Sequence, residues 1–116
     1  MDLSKLKLDK FKRIKVLNFP ASVDLGIVST GSCIEVIIYF INKKEDIEKF
    51  VNLCNSTALP KENRTIMVYL KGNKELNRDT IITPFRKGKY QNFKFKAPML
   101  CSLSDKLSAF VLAKGT

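Results

Sequence analysis

Lys71-Gly72-Asn73 and Asn77-Arg78-Asp79 are the residues of this chain best arranged for chemistry, and the chemistry they suit is anion capture. A helix that opens at Asn77 presents unpaired N–H groups and the positive end of its dipole, and Lys71 and Arg78 flank that end. Asn18, Asn42 and Asp105 join them as candidates, because each falls at a strand end or loop on the same predicted rim. Each residue also has a plainer reading. Asn42 and Asn77 suit helix caps, Asp79 suits the dipole of the third helix, and Arg78 with Asp105 suits an exposed ion pair.

Other chemistries are excluded by composition. The chain holds no histidine, which removes Ser-His and Cys-His nucleophilic pairs and every His-ligated metal site. Cys33, Cys54 and Cys101 are widely spaced with no CxxC, so they read as buried free thiols and make no zinc site. No GxGxxG follows the first strand, and no GxxxxGK[ST] occurs anywhere; Phe19 and Pro20 stand where a pyrophosphate would need close backbone approach. No cofactor, metal or catalytic residue is expected, and an enzyme is the least favoured class.

The elements that must position the rim are legible from periodicity. Ile34-Glu35-Val36-Ile37-Ile38-Tyr39-Phe40-Ile41 is a β-branched run broken only by Glu35, which reads as a central strand buried on both faces. Residues 13–18 read as a first strand stopped by Pro20. A short helix is expected over 21–30, from Val23 and Ile27, although Gly26 sits inside it. Ile47, Phe50, Val51 and Cys54 follow helical spacing, with Asn42 as N-cap and Glu45 completing a capping box. Residues 64–71 make a third strand, and a third helix opens at Asn77, which Pro84 should kink or split and Gly88 should end. From Gln91 the period changes to two, for a strand near the sheet edge, and residues 107–113 return antiparallel. Strand–helix alternation puts the first three strands side by side and parallel, and ligands of such sheets sit beyond the carboxyl ends of the strands. Those ends are Asn18-Phe19-Pro20, Asn42-Lys43 and Lys71-Gly72-Asn73, with the hairpin loop 102–106 on the same side.

The formal net charge of +10 favours polyanions or simply a lysine-coated surface. Between Arg86 and Lys96 lie five basic residues and no acid, interleaved with Tyr90, Phe93 and Phe95. That composition is what single-strand nucleic-acid binding uses, while Phe93 and Phe95 also suit a core-facing strand. No apolar run approaches the ~20 residues of a membrane span, and no signal-peptide pattern opens the chain, so a cytoplasmic single domain over 1–116 is expected.

Val16-Leu17-Asn18-Phe19-Pro20, Tyr69-x-Lys71-Gly72, Leu76-Asn77-Arg78-Asp79 and the closing Leu107-Ser108-Ala109-Phe110 resemble a short bacterial domain family of unknown function. Its architecture is similar to a truncated Rossmann-like, methyltransferase-type sheet. The resemblance implies an α/β fold with a three-layer open sheet of about five strands in the order 1-2-3-5-4. The sheet is mostly parallel, with the last strand antiparallel and inserted beside the third. It implies no activity and no catalytic residues. Three functions follow from the sequence: a non-catalytic binding or interaction module for a small anion or a protein partner, as monomer or homodimer; a basic nucleic-acid-binding protein; or a reduced methyltransferase-like enzyme.

Overall fold

A computed structural model describes residues 4–6, 8–27, 29, 32–73, 75–90 and 95–114, without the side chains of 5, 78 and 95–98. After a 3₁₀ turn at Ser4–Leu6 come β1 (Ile14–Leu17), β2 (Val36–Phe40), α1 (Lys44–Ser56), β3 (Arg64–Leu70), α2 (Arg78–Arg86), β4 (Phe95–Ser102) and β5 (Leu107–Lys114). The strands form one mixed sheet in the order β1-β2-β3-β5-β4. β1, β2 and β3 run parallel, and β5 is antiparallel to both β3 and β4. This is the α/β sheet order that the resemblance implies.

Alternation along the strands sorts the side chains into two cores. Ile37, Met67, Tyr69, Phe110 and Leu112 point to the front face, where Ile47, Phe50, Val51 and Cys54 of α1 and Ile81, Ile82 and Phe85 of α2 cover them. Val36, Ile38, Phe40, Ile66, Val68, Ala109 and Val111 point to the back. β2 is therefore buried on both faces, as its composition requires: all its residues but Tyr39 are buried. Burying a residue such as Phe50 completely contributes about 1.5–3 kcal/mol.

The back face departs from expectation. No helix forms over the described residues of 21–30, and irregular chain carrying Phe11 and Leu25, together with Leu6, closes that side. Asp24 is the reason: its Oδ1 accepts the Gly26 N–H at 2.7 Å, and Gly26 takes φ +71, so a local side-chain turn replaces helix. Ala21 and Ser22 turn just after Pro20, whose carbonyl accepts the Val23 N–H at 3.0 Å. The third layer is thus coil.

Both helix starts are fixed by short polar side chains. α1 begins one residue later than expected. Lys43, not Asn42, is the extended N-cap, and Asp46, not Glu45, reaches back to accept the Asn42 and Lys43 N–H groups at 2.9 and 3.2 Å. α2 begins where expected, and it runs unbroken through Pro84 to Arg86. Gly88 at φ +82 ends it, with Lys89 N–H on Pro84 O at 2.9 Å and Gly88 N–H on Phe85 O at 3.3 Å. β4 is the edge strand that the alternating pattern implies, and its register shifts between Lys96 and Met99, where Pro98 has no N–H to give.

Candidate functional site

The exits of β1 and β2 are adjacent and turn opposite ways. After Leu17, Asn18 takes φ +64, a left-handed conformation that asparagine tolerates better than most residues. Its Nδ2 donates to Phe40 O at 2.8 Å, which ties the end of β1 to the end of β2. Phe19 then packs on Phe40 at 5.3 Å between ring centroids, and the chain descends the back face. From β2, Ile41 N–H still reaches Val68 O at 2.8 Å, after which Asp46 gathers the Asn42 and Lys43 N–H groups and sends the chain into α1 on the front. Where neighbouring parallel strands send their connections to opposite faces, a crevice opens beyond their carboxyl ends.

That crevice is present, with a volume of about 440 Å³. Asn18, Phe19 and Pro20 form one wall, Phe40 the floor, and Asn42, Lys43, Asp46 and Lys49 the other wall. Asn18, Asn42, Lys43 and Lys49 are exposed, while Asp46 is buried at 4% and its carboxylate is held by backbone donors. The Tyr39 hydroxyl behind it is raised above its ordinary pKa by burial, and further by the Asp46 charge. The mouth thus offers two ammonium groups and two amide side chains, and the negative charge lies beneath them. Lys43 was named only as part of a strand end, and Asp46 and Lys49 were not singled out from the sequence; reading two helical turns beyond Asn42 reaches both.

The other rim residues are brought to the same side of the sheet, but they do not join this cavity. Lys71 Nζ donates to Ser102 Oγ at 2.5 Å and to Ser104 O at 2.7 Å, and its N–H reaches Lys106 O at 2.8 Å. It staples the β4–β5 hairpin to the end of β3. Gly72 turns the chain at φ +80, and Asn73 Oδ1 accepts from Glu75 and Leu76 N–H at 2.9 and 3.3 Å. Asn77 Oδ1 accepts from Asp79 and Thr80 N–H, both at 3.0 Å, and Thr80 Oγ1 accepts from Asn77 N–H at 2.8 Å. Asn77 is thus a helix cap. Arg78 opens α2, and its side chain lies outside what the structure describes. Asp105 is exposed in the hairpin turn. The single anion rim drawn from the sequence therefore divides: Asn18 and Asn42 share a cavity, whereas Lys71, Gly72 and Asn77 hold the chain in place.

Of the basic segment 86–96, residues 91–94 and the side chains of 95 and 96 lie outside the described residues. Tyr90 packs on Phe85 at 4.9 Å at the margin of the front core, with Lys89 Nζ 5.5 Å from its ring centroid. This aromatic is engaged within the fold. The cysteines meet expectation except at one position: all three are free and Cys54 and Cys101 are buried, but Cys33 is exposed, at φ +53 in the turn before β2. No group of three His, Cys, Asp or Glu residues suited to a metal gathers among the described residues, and no helix there is long and apolar enough to cross a membrane. Compared with known proteins, the chain matches no family model, no curated protein and no solved structure.

Proposed function

We propose that this chain is a non-catalytic binding module that holds a small anionic ligand in the crevice between the exits of β1 and β2. The observation that carries the proposal is the divergence of those exits to opposite faces, with Lys43 and Lys49 at the mouth of the opening. Because the Asp46 carboxylate lies in the first turn of α1 and holds the Asn42 and Lys43 N–H groups, the anion is held by the lysines and not by the helix terminus. Asn18 and Asn42 supply hydrogen bonds to the ligand's neutral part. The truncated Rossmann-like reading belongs to the same proposal and is supported by the parallel β1–β2–β3 order. A dinucleotide fits it poorly, since Phe19 and Pro20 occupy the turn where a glycine-rich loop would approach a pyrophosphate.

The test is a thermal-shift and NMR titration with inorganic phosphate, pyrophosphate and mononucleotides at low ionic strength. Ligand at a hundredfold over its Kd should add about 2.7 kcal/mol of stability, a rise in Tm of roughly 10 °C. Lys43→Glu with Lys49→Glu should weaken that binding at least tenfold while leaving the unliganded Tm within a few degrees. Absence of stabilisation by every anion, or equal binding by the double variant, would remove the proposal.

A further inference from the structure

We infer that the bare front face of β1, with the groove it opens into, is a docking track for the phosphodiester backbone of single-stranded nucleic acid. β1 is an edge strand, and its link to β2 adds no helix among the described residues. Lys15 and Leu17 are in register with Ile37 and Tyr39, so they share the front face. α1, however, joins β2 to β3 and packs over those strands, which leaves β1 only half-buried along its length. Beside it, at the amino-terminal ends of β1 and β2, runs an open groove of about 930 Å³. This lies at the opposite end of the strands from the crevice proposed above and shares no lining residue with it.

Charge identifies the occupant. One wall of the groove carries Lys12, Arg13 and Lys15; the other is Ser56 at the end of α1 and the irregular chain of 57–60 after it. Glu35, the one lining carboxylate among the described residues, is engaged by the backbone, accepting the Lys12 and Arg13 N–H groups at 3.1 and 3.2 Å. Among the described residues no carboxylate pairs with any of the three cations, on a chain whose formal charge is +10. Shape narrows the choice further. A groove of about 930 Å³ holds only a few nucleotides, and a flexible single strand can follow it with its backbone against the three cations. No exposed aromatic among the described residues lines the groove, so binding there is electrostatic and indifferent to sequence.

Cys33 lies in the groove and is exposed, while Cys54 and Cys101 are buried, so the native protein carries its own footprint probe. A fluorescent thymidylate dodecamer should bind with log K falling against log salt at a slope of about −2, as three phosphate contacts on a single strand require. Lys12→Ala with Lys15→Ala should shrink the slope to about −0.7 and lower affinity at least tenfold in about 50 mM salt. In the unaltered protein, the same oligonucleotide should slow reaction of Cys33 with N-ethylmaleimide, read by mass spectrometry. Three results would overturn the inference: no binding at low salt; binding that leaves Cys33 as reactive as before; or tighter binding of duplex DNA or anionic phospholipid vesicles than of the single strand. The Cys33 footprint needs no substitution, so the outcome stands even if the double variant folds poorly.

Discussion

Replacing Asn63 by alanine should unlatch the far end of the sheet. Asn63 is 1% exposed and sits just before β3. Its Nδ2 donates to Pro60 O at 2.8 Å and to Lys114 O at 3.1 Å, and its Oδ1 accepts the Lys114 N–H at 2.8 Å. One amide thereby extends the β3–β5 pairing by a further step and pins the loop after α1. It also places Lys114, whose Nζ donates to Cys54 O at 2.8 Å near the end of the helix. Each bond contributes about 1 kcal/mol net, and the partners left behind are partly buried, so Asn63→Ala should cost about 2–4 kcal/mol. For a chain of this length that lowers Tm by roughly 8–16 °C. Urea denaturation followed by circular dichroism measures the change, and the m-value should stay constant because the surface exposed on unfolding hardly alters. Asn63→Asp sharpens the test. It keeps the acceptor but turns both donors into a buried charge facing carbonyls, so at neutral pH it should be less stable than Asn63→Ala and should recover on acidification. A loss below about 1 kcal/mol for alanine, or the reverse order of the two variants, would refute the latch.

Lys71→Ala should cost about 1 kcal/mol, through the hairpin staple to Ser102 and Ser104, and should leave phosphate affinity unchanged in the titration described above. Asn18→Gly accommodates φ +64 but loses the bond to Phe40 O, whereas Asn18→Ala loses both, so alanine should be the less stable by about 1 kcal/mol in urea melts. Burial pushes the Cys54 thiol far above its ordinary range, with the Lys114 charge opposing only in part. The folded state therefore keeps this proton after the unfolded chain has lost it. Stability from this group is complete below the ordinary thiol pKa of about 8.5 and declines as pH rises above it; Cys54→Ala should flatten that alkaline limb of urea midpoints.

The parts of this fold that could be read in advance are those where one physical rule acts alone. The apolar runs of β2 and β3 and the spacing of Ile47, Phe50, Val51 and Cys54 admit a single reading, and all of them pack as read. Where two rules competed, the sequence was ambiguous. Val23, Leu25 and Ile27 alternate as readily as they suit a helix, and the Asp24–Gly26 turn decided for extended chain. Glu45 and Asp46 are adjacent acids. The shorter side chain at Asp46 holds the backbone of Asn42 and Lys43, which moved the cap by one residue. The candidate site was half legible for a related reason. Asn18, Asn42, Lys71 and Asn77 all sit on the expected side of the sheet, but periodicity does not say whose hydrogen-bonding groups are already engaged. Lys71 and Asn77 look like ligand contacts until the hairpin and the α2 cap are assembled around them. Cys33 misled because the apolar run that starts at Ile34 adjoins it, whereas a left-handed turn sets it at the surface.

Threading order gives this sheet an unusual vulnerability. β5, the last of the sheet's five strands in chain order, does not close an edge; it slots between β3 and β4. Until it arrives, β3 presents Ile66, Met67 and Val68 along an unpaired margin, and Leu6, Phe11 and Leu25 lack part of the surface they come to rest on. A nascent chain halted before residue 107 is thus an exposed sheet edge awaiting a partner, and any extended segment from another molecule competes for the vacancy. Protection during synthesis must come from outside the sheet, or from the speed with which residues 107–114 follow.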